Sequence, residues 1–224
     1  VIAAKAKKLG SPAYKVVQDG AKVLGNNKDG IDFSLKDSYY GNASFHIPFI
    51  AWYQVMNASL ALTTMEVLKD RIPVTMEQLQ AGIANTRWQG RMETILPGVI
   101  VDGAHNEDGV RRFVETAERF QKEYPLTLLF SAVNDKDYQD MIHTICSRIK
   151  FRKVVTTEVG GYREVPSAEL AEIFCKEGCK DVGNSDNIEE AFHMAHEAKG
   201  EDGMLFCVGS LFLVGEIKTL LLKK

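Results

Sequence analysis

Hydrophobic positions from Val99 to the end of the chain alternate between two spacings. Short apolar runs at Val99–Val101, Leu126–Val133, 153–157, near Asp181–Val182 and at 204–208 read as buried strands. Each is followed by a segment whose apolar residues recur every three or four positions, the period of an amphipathic helix. Val110, Phe113, Val114, Ala117 and Phe120 form the first such stripe, and Tyr138, Met141, Ile142, Ile145 and Ile149 the second. The segment 167–178 is the third, with Ser167 as a cap and Gly178 as a stop; Ile188, Ala191, Phe192 and Ala195 mark the fourth, and 210–222 is the fifth. Asn106 suits the N-cap of the first helix, and Glu107 and Asp108 suit the positive end of its dipole. Strand–helix units in succession require parallel strands joined by crossover helices. The expected fold is therefore α/β, a doubly wound, mostly parallel sheet.

Residues 1–86 follow another pattern. "VIAAKAKKLG" reads as a helix already in progress, and residue 1 is expected to be a cut. "PAYKVVQ" (12–18) suggests a strand, "GNNKDG" (25–30) a turn, and 31–40 and 42–49 strands of a meander. A long helix over 51–70 and a second one starting at Thr75 complete this portion. It has few strands for its length and could not easily bury both faces of a sheet, so it is expected to be the tail of a larger domain. The boundary falls around Asn85–Gly90.

Composition narrows the function classes. Of 224 residues, 45% are hydrophobic and 25% charged, with a formal net charge of −3, which gives no electrostatic case for nucleic acid or an anionic membrane. No apolar run approaches the ~20 residues that span a bilayer. Cys146, Cys175, Cys179 and Cys207 suit a reducing compartment, and the cytoplasm is the expected location. Cys175 and Cys179, four apart, could be half of a metal site. With no second Cys or His pair at matching spacing, scattered thiols are the preferred reading.

Ligands of open parallel sheets bind where the loops diverge at the carboxyl ends of the strands. Three polar clusters fall on that rim: "DGAHN" (102–106), "NDKD" (134–137) and "GS" (209–210). Each alone is weak, since an Asp at a strand end commonly caps a turn and a His is commonly structural. Together they mark a candidate site.

The clusters belong to a wider set. "YQVMNASLAL" (53–62) is similar to a Gly-x-His-Gln-x-x-Asn-Ala helix, "RWQGRME" (87–93) to a Trp-Pro-Gly-Arg linker, and "DGAHN" and "VGSLFLVGE" (208–216) to two signature turns. "NDKD" is a weaker fifth. In this order the motifs resemble the Mur ligase superfamily, in particular its folylpolyglutamate synthase branch. The resemblance implies an ATP-dependent amide ligase that adds L-glutamate to the carboxylate of a folate or dihydropteroate through an acyl phosphate. It implies that Asn57 contacts adenine, Arg91 reaches the phosphates, and Asp102 accepts from the ribose hydroxyls. His105 and Ser210 would hold the incoming glutamate, and Asp135 and Lys136 would add loop contacts. A carboxylate has the acceptors for a ribose diol, and a guanidinium binds phosphate bidentately. The chain is expected to be monomeric.

Ala51, Tyr53, Gln89 and Glu107 depart from the family's residues, and Tyr53 does so beside the expected adenine contact. No G-x-x-x-x-G-K-[ST] occurs in the 224 residues. The expectation is therefore the C-terminal part of a central ATPase domain over 1–86 and a C-terminal ligase domain over 87–224. The ligands of Mg2+ would lie in a missing N-terminal part, and the chain would be inactive alone. The alternative is a short, non-catalytic nucleotide- or amino-acid-binding module with a ligase-like fold.

Overall fold

The computed structural model describes residues 1–27, 30–36, 39–41, 43–135, 137–161 and 164–222. Two compact units divide the chain, Val1–Arg87 and Trp88–Lys224.

The first unit runs α1 (Ile2–Leu9), β1 (Ala21–Asn27), β2 (Gly30–Leu35), β3 (Ser44–Ile47), α2 (Tyr53–Leu68) and α3 (Met76–Ala84). The strands pair antiparallel in the order β1-β2-β3. Ile31, Phe33, Phe45 and Ile47 alternate inward and pack with Val55 and Leu62 of α2, while Met76, Leu79 and Ile83 of α3 add a partly buried rim. The expected turn at 25–30 is the β1–β2 connection, although β1 itself continues through Asn27; Lys28 and Asp29 lie outside the described residues. Thr75 starts α3 as expected, through a capping box in which Gln78 N–H donates to Thr75 Oγ1 and Thr75 N–H to Gln78 Oε1. The strand expected at 12–18 does not form. Residues 11–17 are almost all exposed and join no ladder, and a run of strand-forming residues becomes a strand only where a neighbour offers backbone partners.

The second unit opens with β4 (Glu93–Leu96), which the hydrophobic pattern does not reveal because it is short and lies at the sheet edge. It turns at Gly98, φ +71°, into β5 (Val99–Asp102). There follow α4 (Glu107–Phe120), β6 (Leu126–Phe130), α5 (Tyr138–Arg148), β7 (Phe151–Thr156), α6 (Ser167–Lys176), β8 (Val182–Asn184), α7 (Ile188–Lys199), β9 (Met204–Val208) and α8 (Leu211–Leu222). The sheet order is β4-β5-β9-β6-β7-β8; β4 is antiparallel to β5 and the other pairs are parallel. This is the mostly parallel α/β sheet that the periodicity predicts.

Its strands are apolar on both faces, as a sheet covered on both sides requires. Val101, Leu129, Val155, Leu205 and Cys207 pack with α7 and α8 residues such as Ala191, Ala195, Leu213 and Ile217. On the other face, Phe206 meets Phe113 edge to face at 5.4 Å and Phe130 meets Phe174 at 5.3 Å. Asn106 caps α4, accepting from Gly109 N–H at 2.8 Å. Ser167 does not cap α6: Pro166 holds that position, and the buried Ser167 hydroxyl donates instead to Asp186 Oδ1. Among the described residues no helix is long and apolar enough to cross a membrane.

Candidate functional site

The position of β9 decides the geometry of the site. It pairs with β5, Asp102 opposite Val208, and with β6, Phe130 opposite Val208. The chain enters the sheet centre last, after β6, β7 and β8 have been laid down to one side. The three carboxyl-end turns that follow β5, β9 and β6 are therefore neighbours at a topological switch point, although more than a hundred residues separate Asp102 from Ser210 in the sequence.

Gly103 shows how closely these pieces meet. A Cβ there would lie 2.1 Å from Leu211 Cδ2 and 2.7 Å from an Arg91 guanidinium nitrogen. With no side chain of its own, Gly103 lets the turn sit against the start of α8 and the linker arginine as they stand.

Asp102 is buried, 4% exposed, at the end of β5. Its Oδ2 accepts from Met92 N–H and its Oδ1 from Ala104 N–H, both at 2.8 Å. Desolvation outweighs these two amides and the nearby Arg91 and His105, pushing the carboxyl up to about 6. The Met92 bond carries weight because Met92 has φ +45°, a left-handed backbone that a side chain adopts only where the surroundings hold it. Gly90, two residues earlier, has φ +67°. The loop is further tied by Gly103 N–H to Gly90 C=O at 2.8 Å and Gly90 N–H to Glu93 Oε2 at 2.7 Å. Glu93 in turn accepts from Lys218 Nζ of α8 at 2.8 Å and 3.0 Å. Half-buried Arg91 thus sits on a loop braced from β5 and α8. Sequence reasoning named Arg91 and Asp102 but not Glu93, Lys218 or the bond between Asp102 and the linker. No local pattern announces an ion pair 125 residues apart.

His105 is half-buried, and its Nδ1–H donates to Gly103 C=O at 2.7 Å. That bond assigns the proton of the neutral ring to Nδ1 and leaves Nε2 as the atom available to a ligand. Ser210 is buried at 3% exposure, and its Oγ accepts from Phe212 N–H at 3.1 Å in the first turn of α8. The hydroxyl hydrogen is still available to donate. Ser131, fully buried just past β6, has a hydroxyl with no hydrogen-bond partner among the described residues. A Cβ at Gly209 would touch its carbonyl. Asp135 is exposed in the turn after β6, and Lys136 lies outside the described residues. Asn57 belongs to the first unit, where its side-chain amide donates to Gln54 Oε1 at 2.8 Å. Among the described residues no group of three or more His, Cys, Asp or Glu side chains is arranged to hold a metal ion.

Known proteins match this arrangement. The chain is 28% identical over 197 residues to dihydrofolate synthase/folylpolyglutamate synthase of Bacillus subtilis (strain 168), covering 84% of this chain and 44% of that protein. Its fold superposes on folylpolyglutamate synthase of Mycobacterium tuberculosis, solved with ADP and AMPPCP, with a TM-score of 0.80 at 23% identity, covering 98% of this chain and 52% of that one. Folylpolyglutamate synthase of Thermotoga maritima gives a TM-score of 0.75 at 25% identity over 99% of this chain and 51% of that one. The chain spans about half the length of these relatives. Residues 90–211 match the family described as "Mur ligase, glutamate ligase domain", and they contain Arg91, Asp102, His105 and Ser210. By that match over more than half its length, the chain belongs to the Mur ligase family.

Proposed function

We propose that this chain carries the glutamate-receiving domain of an ATP-dependent amide ligase that joins L-glutamate to the carboxylate of a folate or dihydropteroate. The observation that carries the reading is the convergence of the turns after β5, β9 and β6, with Gly103 wedged between Arg91 and Leu211. An amide ligase must gather a polyanion, an acyl group and an amine at one place, and it works chiefly by positioning and charge.

The residues at this edge suit those tasks. Arg91, on its braced loop, supplies the guanidinium for phosphate. Each Asp102 oxygen keeps a lone pair beyond its amide bond, which a ribose diol could take. Its burial makes bracing the linker loop its first task. His105 Nε2 and the Ser210 hydroxyl, at the N-terminus of α8, suit the carboxylates of an incoming glutamate. Asn57 is assigned to adenine, and Asp135 and Lys136 to peripheral contacts. ATP supplies the activating phosphoryl group, and Mg2+ is held by residues outside this chain. The residues 1–86 are read as the end of a central ATPase domain and 87–224 as the ligase domain. Alone, the chain is expected to turn over neither ATP nor folate, because no G-x-x-x-x-G-K-[ST] loop is present in it.

The test is a His105→Ala substitution in one polypeptide with an N-terminal half that bears a phosphate loop. Loss of a hydrogen bond to a charged ligand costs about 1.5–3 kcal/mol, so KM for glutamate should rise about ten- to a hundredfold with KM for ATP unmoved. Equal rises in both constants, with a lower melting temperature, would make His105 a brace of the turn and refute the assignment.

A further inference from the structure

Two of the four cysteines meet. Cys146 Sγ, in the last turn of α5, lies 3.6 Å from Cys179 Sγ, three residues beyond α6, although they are 33 positions apart. Both side chains are partly exposed, whereas Cys207 is buried and Cys175 lies on the surface. Among the described residues the contact is one of three rungs that lace α5 to α6 and the turn after it. Tyr138 O–H donates to Glu169 at 2.7 Å, and His143 Nδ1–H donates to Glu177 at 2.9 Å. His143 and Cys146 are three apart on one helical face, and Glu177 and Cys179 are two apart on the opposing turn, so the rungs hold the sulfurs in register.

We propose that Cys146 and Cys179 form an oxidisable thiol pair, which a low-molecular-weight disulfide converts to an intrachain disulfide that staples α5 to the turn after α6. The sulfurs need close by only about 1.5 Å to reach bonding distance, within side-chain rotation. Either thiol can donate across the contact, and the hydrogen bond between them holds the Cys179 thiol below its ordinary value and pushes Cys146 up. Cys179 is therefore the first nucleophile. Its thiolate attacks one sulfur of the reagent disulfide, forming a mixed disulfide and releasing one reagent thiolate. Cys146, losing its proton to solvent, then attacks the Cys179 sulfur and releases the second thiolate. Two protein thiols are oxidised and one reagent disulfide is reduced to two thiols, so the exchange balances. Burial holds the Cys207 thiol up and away from solvent, which keeps it out of the exchange.

The staple lies away from the candidate site. Helices α5 and α6 run back against the strands, so the C-terminal end of α5 and the turn between α6 and β8 sit at the amino edge of the sheet. Asp102, His105 and Ser210 lie at the carboxyl edge. Oxidation should therefore act on stability.

The experiment is incubation of the whole chain with oxidised glutathione, alkylation of residual thiols, and peptide mapping. Cleavage after Lys136, Arg148, Lys176 and Lys180 places Cys146, Cys175 and Cys179 on separate peptides. The expected result is a Cys146–Cys179 cross-linked peptide, two hydrogen atoms lighter than its parts, with Cys175 carrying a glutathione adduct. The oxidised chain should melt about 5–10 °C higher than the reduced one, and dithiothreitol should abolish the difference. Cys175→Ser should retain the cross-link, and Cys146→Ser should instead accumulate a stable glutathione adduct at Cys179. Independent adducts on Cys146 and Cys179 in the unsubstituted chain, a Cys175–Cys179 cross-link, or a cross-link without a rise in melting temperature would each overturn the proposal.

Discussion

Replacing Gly209 by alanine should destabilise the second unit by about 3–5 kcal/mol. Two independent causes add. Gly209 has φ +111°, a backbone that residues with a side chain rarely adopt. A Cβ there would also lie 2.0 Å from the Ser131 carbonyl oxygen and 2.8 Å from Phe130 Cε2. The carbonyl is backbone at the end of the neighbouring central strand, so relief means moving β6 away from β9. Since a domain holds only about 5–15 kcal/mol in all, the loss is a large fraction of the total. By calorimetry the transition should fall by about 6–15 °C. Gly160→Ala is the control: its φ is +75°, but nothing lies within 4 Å of the added Cβ, so only the smaller backbone term applies. Equal melting temperatures for the two variants would remove the steric half of the explanation.

Asp102→Ala should be nearly as damaging, at about 2–5 kcal/mol, because it leaves two buried amides, Met92 N–H and Ala104 N–H, without acceptors. It also releases the left-handed Met92, and with it the loop that presents Arg91. On the proposed ligase function, the variant joined to an N-terminal half that bears a phosphate loop should lose ATP affinity even after its melting temperature is compensated by lower assay temperature. Unchanged stability would mean that the linker does not depend on this carboxylate.

The acid–base behaviour of Asp102 gives a second reading of the same contact. Its carboxyl is raised to about 6 in the fold from an ordinary 3.8, so the folded state holds the proton more tightly than the unfolded chain does. The stability linked to this proton is fully present below about pH 4 and is lost as pH rises through about 6. Asp102→Asn cannot titrate there. The melting temperature of the natural protein minus that of Asp102→Asn should therefore fall across this window and level off above it. A flat difference would show that the buried carboxyl does not take up a proton in that range.

Much of the second unit is legible in the residue pattern. The apolar run Val99–Val101, the stripe from Val110 to Phe120 and the cap at Asn106 are local features, set by an unbroken apolar stretch, by a period of three to four residues and by one side chain reaching its own helix. The same holds for Thr75 and Gln78 at the start of α3. Where a segment depends on a partner, the pattern fails. "PAYKVVQ" has the residues of a strand but no ladder, while Glu93–Leu96 is a strand because β5 is beside it.

Within the second unit the residue pattern suffices for the succession of strands and helices from β5 to α8, the doubly wound class, and the residue types at the ends of the strands. The folded chain alone reveals that β9 enters between β5 and β6, so that the turns bearing His105 and Ser210 adjoin. It alone also showed that both Asp102 oxygens are taken by backbone amides, that Lys218 braces Glu93, and that Cys146 meets Cys179. The physical reason is range. Periodicity and capping are written within a turn or two of chain, whereas strand order, burial and long-range hydrogen bonds depend on which distant segments pack together.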